Sequence, residues 1–125
     1  MAKVVFCEDD DLTRKLIGLV LRGTPHVPFF AADGLEGLAV IERERPALVV
    51  TDLHMGGLDG PHLLAALRSR SDLAHIPVIL MSGAVEGDVV RNVPSGPHVF
   101  AACMAKPFSA GVLRSLIEEL LSRSS

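Results

Sequence analysis

Apolar residues fall in five short runs along the chain, "KVVFC", "VPFFAA", "ALVVTD", "PVILMS" and "HVFAACM", and between the runs they recur at helical spacing. The runs predict strands and the segments between them predict helices. Residues 11–22 place Leu12, Leu16, Leu19 and Val20 on one helical face, as an amphipathic helix facing a core does. Residues 109–122 do the same with Val112, Leu113, Leu116, Ile117, Leu120 and Leu121. Shorter helices are expected over residues 35–44 and 61–70, the second opened by Pro61, whose missing N–H would be unpaired in a first turn anyway. The fourth helical segment is the weakest. After "MSGA" the chain reads "VEGDVVRNVPSGPHVF", and Gly87, Pro94, Gly96 and Pro97 leave room for at most two turns around residues 86–92.

"ALVV" and "VILM" do not alternate with polar residues, so these strands are expected to be covered on both faces, as interior strands of a parallel sheet are. Helices must then lie on both sides. Right-handed crossovers turn this pattern into a doubly wound α/β fold, a three-layer sandwich on a five-stranded parallel sheet with a short or irregular fourth helix. In such a sheet a functional site lies outside the carboxyl ends of the strands, at the switch point of the strand order.

The 125 residues suffice for one core, and the whole chain, 1–125, is expected to be a single domain. With 49% apolar and 22% charged residues it has the composition of a folded globular chain. The net charge of −3 is mild, Lys and Arg are scattered, and Trp and Tyr are absent, so direct nucleic-acid binding is not expected. The start "MAKVVFCEDD" is too short in apolar residues for a signal peptide and no long apolar run follows, so the expectation is a cytoplasmic chain without a membrane partner. Cys7 and Cys103 lack metal-type spacing and read as two buried thiols.

Charge changes the picture at the strand ends. The first run ends in four consecutive carboxylates, Glu8, Asp9, Asp10 and Asp11, an arrangement whose mutual repulsion needs compensation. Asp52 follows the third run, Ser82 the fourth and Lys106 the fifth, and a parallel sheet gathers all these ends along one edge. Carboxylates with water suit Mg²⁺, which takes oxygen ligands and keeps positions open for phosphate oxygens. With a metal on Glu8, Asp9 and Asp52, one oxygen of Asp52 remains free as a nucleophile toward a phosphoryl group, while Lys106 and Ser82 hold the transferred oxygens. Asp10 and Asp11 read differently, as residues at the start of the first helix that cap its free N–H groups and favour the positive end of its dipole.

Four ordered motifs now carry a resemblance: "VVFCEDD", "VVTDLHMGGLDG", "VILMSGA" and "AKPF" are similar to the acidic pair, the phospho-acceptor segment, the switch-hydroxyl strand and the Lys-Pro signature of receiver domains of two-component response regulators. The resemblance spans essentially the whole chain. It implies a flavodoxin-like sheet of strand order 2-1-3-4-5 and a signalling domain that promotes only its own phosphorylation and dephosphorylation. Its implied partners are a histidine kinase or phosphotransfer protein and a downstream output protein or domain. It further implies Asp52 as the phospho-acceptor, Ser82 as the switch hydroxyl, Lys106 as the contact to the acyl phosphate, Glu8, Asp9, Asp52 and the backbone carbonyl of His54 as Mg²⁺ ligands, and a cis Lys106–Pro107 peptide. Four positions depart from the family pattern. Gly56 stands where Pro is usual, Cys103 stands at the aromatic switch position, and Val99 and Phe100 replace a Gly-Ala pair. With the interrupted fourth helix, these departures predict that the usual relay and docking face are altered. His54 otherwise reads as a solvated loop histidine, and His26, His62, His75 and His98 as surface or structural residues.

Two other readings stay open on sequence grounds. "DDDLT" matches the DxDxT motif of haloacid-dehalogenase-like phosphatases, with Asp9 as nucleophile, although only Glu118 and Glu119 of the fourth long helix follow Lys106 as candidate metal acids. The other is a degenerate receiver acting as an interaction module without phosphorylation.

Overall fold

The computed structural model describes residues 2–83 and 87–123. In chain order the elements are β1 Lys3–Cys7, α1 Asp11–Arg22, β2 Val27–Ala31, α2 Gly34–Glu44, β3 Leu48–Asp52, α3 Gly60–Arg68, β4 Val78–Ser82, β5 Val89–Ser95, β6 His98–Ala105 and α4 Ala110–Arg123. The six strands pair into one sheet of order β2-β1-β3-β4-β6-β5, parallel throughout except where β5 runs antiparallel to β6.

Strand period sorts the core into two halves. Val4, Phe6, Leu48, Val50, Ile79 and Met81 point to the side covered by α1 and α4, whereas Val5, Cys7, Val49, Val78 and Leu80 point to the side covered by α2 and α3. The result is the expected three-layer sandwich. Helix starts are sharply defined by Asp10, Asp33 and Asp59, each accepting from the backbone N–H three residues on. Both edge strands carry a proline. In β2, Val27 N–H donates to Ala2 and the Ala31 carbonyl accepts from Glu8 N–H, so odd-numbered residues bond to β1 and Pro28 turns its nitrogen to the open edge, where it interrupts no ladder bond.

Two expectations are corrected. The segment after β4 is not a fourth helix: residues 87–92 contain no helical turn, and Val89–Ser95 is an edge strand; Glu86 lies outside the described residues. β-branched Val89, Val90 and Val93 favour extended backbone, Pro94 is incompatible with a helix interior, and Gly96 at φ 61° followed by Pro97 closes a two-residue hairpin into β6. The sheet therefore has six strands, with β6 in the position expected for the fifth. The second correction concerns α1. Its buried residues are Ile17, Val20 and Leu21, while Leu12, Leu16 and Leu19 are 74%, 40% and 60% exposed. Both stripes are apolar, so periodicity alone could not say which one meets the sheet.

The cysteines are free and buried, as expected. Burial pushes the Cys7 thiol up to about 12 and raises that of Cys103 as well. Since the thiolate is the reactive species, iodoacetamide at neutral pH should modify neither residue in the folded protein and both after unfolding in denaturant. Labelling of Cys7 in the native state as fast as in the unfolded chain would contradict this.

Candidate functional site

β1 and β3 are neighbours, but the chain leaves β1 toward β2 on one side and returns to β3 on the other. That is the switch point, and the residues at its carboxyl edge are Glu8, Asp9 and Asp52. Ser82 ends β4 and Lys106 directly follows β6. Five side-chain positions spread over 98 residues thus reach one edge.

Geometry couples three of them. Lys106 Nζ donates to Glu8 Oε1 at 2.8 Å and to Asp52 Oδ2 at 2.9 Å. Asp52 Oδ1 accepts from Leu53 N–H at 2.9 Å, so both of its oxygens are oriented. Glu8 is fully buried, and its Oε2 has no hydrogen-bond partner among the described residues. The Glu8 carboxyl is raised to about 6 on balance: burial pushes it up most, the Lys106 ammonium pulls it down, and the nearby Asp52 carboxylate adds to the rise. For Lys106, burial works toward a lower pKa, yet the hydrogen bonds to Asp52 and Glu8 outweigh it and raise the ammonium above its ordinary value. Asp9 is exposed at the rim. Carboxylate oxygens of Glu8, Asp9 and Asp52 lie within 4.8 Å of one another, an oxygen-rich arrangement of the size a small divalent cation spans. The orphaned Glu8 oxygen is the independent sign that something else belongs there, because a buried carboxylate oxygen without a partner is costly.

Asp10 takes the capping role expected of it, whereas Asp11 pairs with a side chain of the same helix. Asp10 is the N-cap of α1, accepting from Thr13 N–H at 2.8 Å and from the Thr13 hydroxyl at 2.6 Å, and these bonds lower its pKa. Asp11, 80% exposed, pairs with Arg14. Arg14 also donates to the Glu8 carbonyl at 3.1 Å, a contact that helps fix the turn after β1 and that the sequence did not point to. The DxDxT residues therefore do not converge on Asp9: Asp11 and Thr13 are engaged elsewhere.

Close approach shapes the floor. A Cβ on Gly60 would meet the Asp52 carbonyl oxygen at 2.9 Å, so α3 can start directly behind the end of β3 only with glycine there. Gly57, at φ 77°, sits in the loop after Asp52, where a side chain would be strained. His54 is exposed in that loop. Ser82 is 6% exposed, and its carbonyl accepts from Lys106 N–H at 2.9 Å. The Lys106–Pro107 peptide is cis, as expected. Beside the pocket a cleft of about 420 Å³ runs between α1 and the β6–α4 turn, lined by Asp10, Thr13, Leu16, Lys106, Pro107 and Phe108.

A doubly wound flavodoxin-like sheet with a lysine-bridged acidic pocket at its switch point defines a class of α/β domain, and comparison with known proteins narrows it. Residues 4–118 match the family model described as the response regulator receiver domain. The transcriptional regulatory protein CseB of Streptomyces coelicolor is 33% identical over 121 residues, which cover 96% of this chain and 49% of CseB. The chain thus spans about half the length of that relative. Among solved structures, the receiver domain of the Francisella response regulator 1452 superposes with a TM-score of 0.86 at 26% identity, with 100% of both chains covered. The receiver domain of a sensor histidine kinase of Pseudomonas aeruginosa, described with a magnesium ion coordinated in its active-site cleft, shares the fold at a TM-score of 0.82 and 21% identity, over 97% of this chain and 98% of that one. This chain belongs to the response regulator receiver domain family of two-component signalling.

Proposed function

We propose that this receiver accepts a phosphoryl group on Asp52 from a histidine kinase or phosphotransfer protein, with Mg²⁺ held by Glu8, Asp9, Asp52 and the His54 carbonyl, and passes the signal to an output protein or domain. The observation that carries the reading is the Lys106 ammonium bridging Glu8 and Asp52 beside an unpaired, buried Glu8 oxygen. Bound there, the metal would supply Lewis-acid neutralisation of the phosphoryl oxygens. The residues supply the rest. Leu53 N–H and Lys106 hold the Asp52 carboxylate in a fixed orientation, so that it attacks phosphorus in line as the phosphorus–nitrogen bond of a phosphohistidine breaks and the electron pair leaves with the imidazole. Lys106 then faces the transferred oxygens, with Ser82 beside it at the end of β4. Because every chemical position carries a competent side chain, we favour this reading over the phosphorylation-independent module.

The exposed leucines of α1 have a role in this reading. Leu16 lines the cleft at the pocket, and Leu12 and Leu19 continue its stripe along the helix, an apolar surface that a donor protein covers when it brings a phosphohistidine to Asp52. Replacing Leu16 and Leu19 together by Ala should slow phosphotransfer from the donor by about tenfold or more and leave uptake from acetyl phosphate unchanged. Equal slowing from both donors would place the defect in the pocket. The function itself is tested by intact-mass measurement after incubation with acetyl phosphate and Mg²⁺: one phosphoryl group per chain is expected, and no uptake overturns the proposal.

A further inference from the structure

The element that most distinguishes this chain is the hairpin that stands where a fourth helix was expected, and its connections lead to the pocket. Lys106, whose ammonium holds Asp52, donates its backbone N–H to Ser82 at 2.9 Å, and the preceding Ala105 donates to Asp88 at 2.9 Å. The end of β6 is therefore bonded both to the end of β4 and to the start of β5. Beyond that point β5 is lightly held. Val90, Arg91, Asn92 and Pro94 are exposed, pairing with β6 skips Asn92 at φ 55°, and only Val89 and Val93 pack on the core, on opposite faces of the sheet. A strand with so few buried groups sits at the low end of local stability. One strong tether remains among the described contacts: the Arg91 guanidinium makes a two-bond fork with Glu119 of α4, Nε to Oε2 at 2.9 Å and Nη2 to Oε1 at 2.7 Å.

Resting on the phospho-acceptor reading above, we propose that the β5–β6 hairpin is the switching element of this receiver and that the Arg91–Glu119 pair is the latch holding it against α4 in the unphosphorylated state. A phosphoryl group on Asp52 places new acceptor oxygens before an ammonium now shared between Glu8 and Asp52. As Lys106 follows them, its backbone carries Ser82, Ala105 and Asp88 with it, and the hairpin shifts as a unit. Cys103, small and buried opposite Leu80 and Val90, has no ring to swing, so a segmental movement replaces a rotamer exchange.

Amide hydrogen exchange on the full chain with Mg²⁺, with and without beryllium fluoride, tests this alongside intact mass under acetyl phosphate. Activation should change exchange severalfold across residues 88–95 and their partners in 98–105. In the unactivated protein, Arg91→Gln and Glu119→Gln should each speed exchange of the same amides by about two- to fivefold, the size expected of an exposed ion pair. The double variant should be no faster than either alone, although Glu119 also meets Arg123, and phosphoryl uptake should be unchanged in all three. Unchanged hairpin exchange in a protein that demonstrably takes up phosphoryl would overturn the switch and spare the site. Additive effects of the two substitutions would overturn the latch, and no uptake by the wild type would overturn the site reading and the switch together.

Discussion

Asp52→Asn should take up no phosphoryl group under conditions where the wild-type chain is expected to take up one. The substitution is nearly isosteric, and its one amide oxygen can still accept from Leu53 N–H, while the NH2 group in place of the second carboxylate oxygen cannot accept from Lys106. What disappears is the charge and the nucleophilicity of the carboxylate, and a neutral amide oxygen does not form the acyl phosphate. Losing the negative charge also leaves Lys106 paired with Glu8 alone, which tightens that bridge rather than freeing it. The effect is therefore all-or-none, unlike that of a neighbouring residue that only positions charge. Intact mass with acetyl phosphate and Mg²⁺ checks it, with hydroxylamine treatment to identify an acyl phosphate. A hydroxylamine-labile phosphoryl group on Asp52→Asn in unchanged yield would show that the acceptor lies elsewhere.

Magnesium affinity should fall by about 10- to 100-fold or more in Glu8→Gln and in Asp9→Asn, and stay within about twofold in Asp10→Asn. The three residues are consecutive in sequence, yet the backbone aims them differently. Glu8 projects into the protein and ends in an oxygen with no partner among the described residues, and Asp9 lies at the rim within reach of the same point. Asp10 has already turned to cap α1 through Thr13, a task Asn performs nearly as well. Each of the first two variants would remove the charge of an expected ligand oxygen, whereas the third changes a charge on a solvated cap whose oxygens are turned to Thr13. Isothermal titration of Mg²⁺ against the three variants gives the comparison directly. Equal losses for Asp9→Asn and Asp10→Asn would remove the distinction between ligand and cap.

Much of this architecture was legible in the chain itself. Strands covered on both faces must be apolar at successive positions, which is why "ALVV" and "VILM" announced a parallel interior, and a parallel sheet leaves no choice about where its strand ends gather. Asp52, Ser82 and Lys106 could be assigned to one edge for that reason, and Asp10 to a cap, because both depend on local pattern and on a topology that chirality restricts. Capping, period and punctuation are short-range properties, and the residues display them directly.

Other features required the folded chain. In α1 two apolar stripes compete, and only the position of β1 and α4 decides that Ile17, Val20 and Leu21 go inside while Leu12, Leu16 and Leu19 face outward beside the pocket. In "VVRNVPSGPHVF" the glycines and prolines read as breaks in a helix, although β-branched residues flanking a Gly-Pro pair also spell a hairpin; what selects the hairpin is the free edge that β6 offers, a partner far from any local pattern. The unpaired oxygen of Glu8 and the lysine shared between two carboxylates belong to the same category. Burial, hydrogen-bond partnership and charge balance are sums over neighbours that are distant in sequence, so residue type and spacing brought acidic groups and a lysine to one edge, and tertiary packing alone decided which oxygen was left without a partner among the described residues.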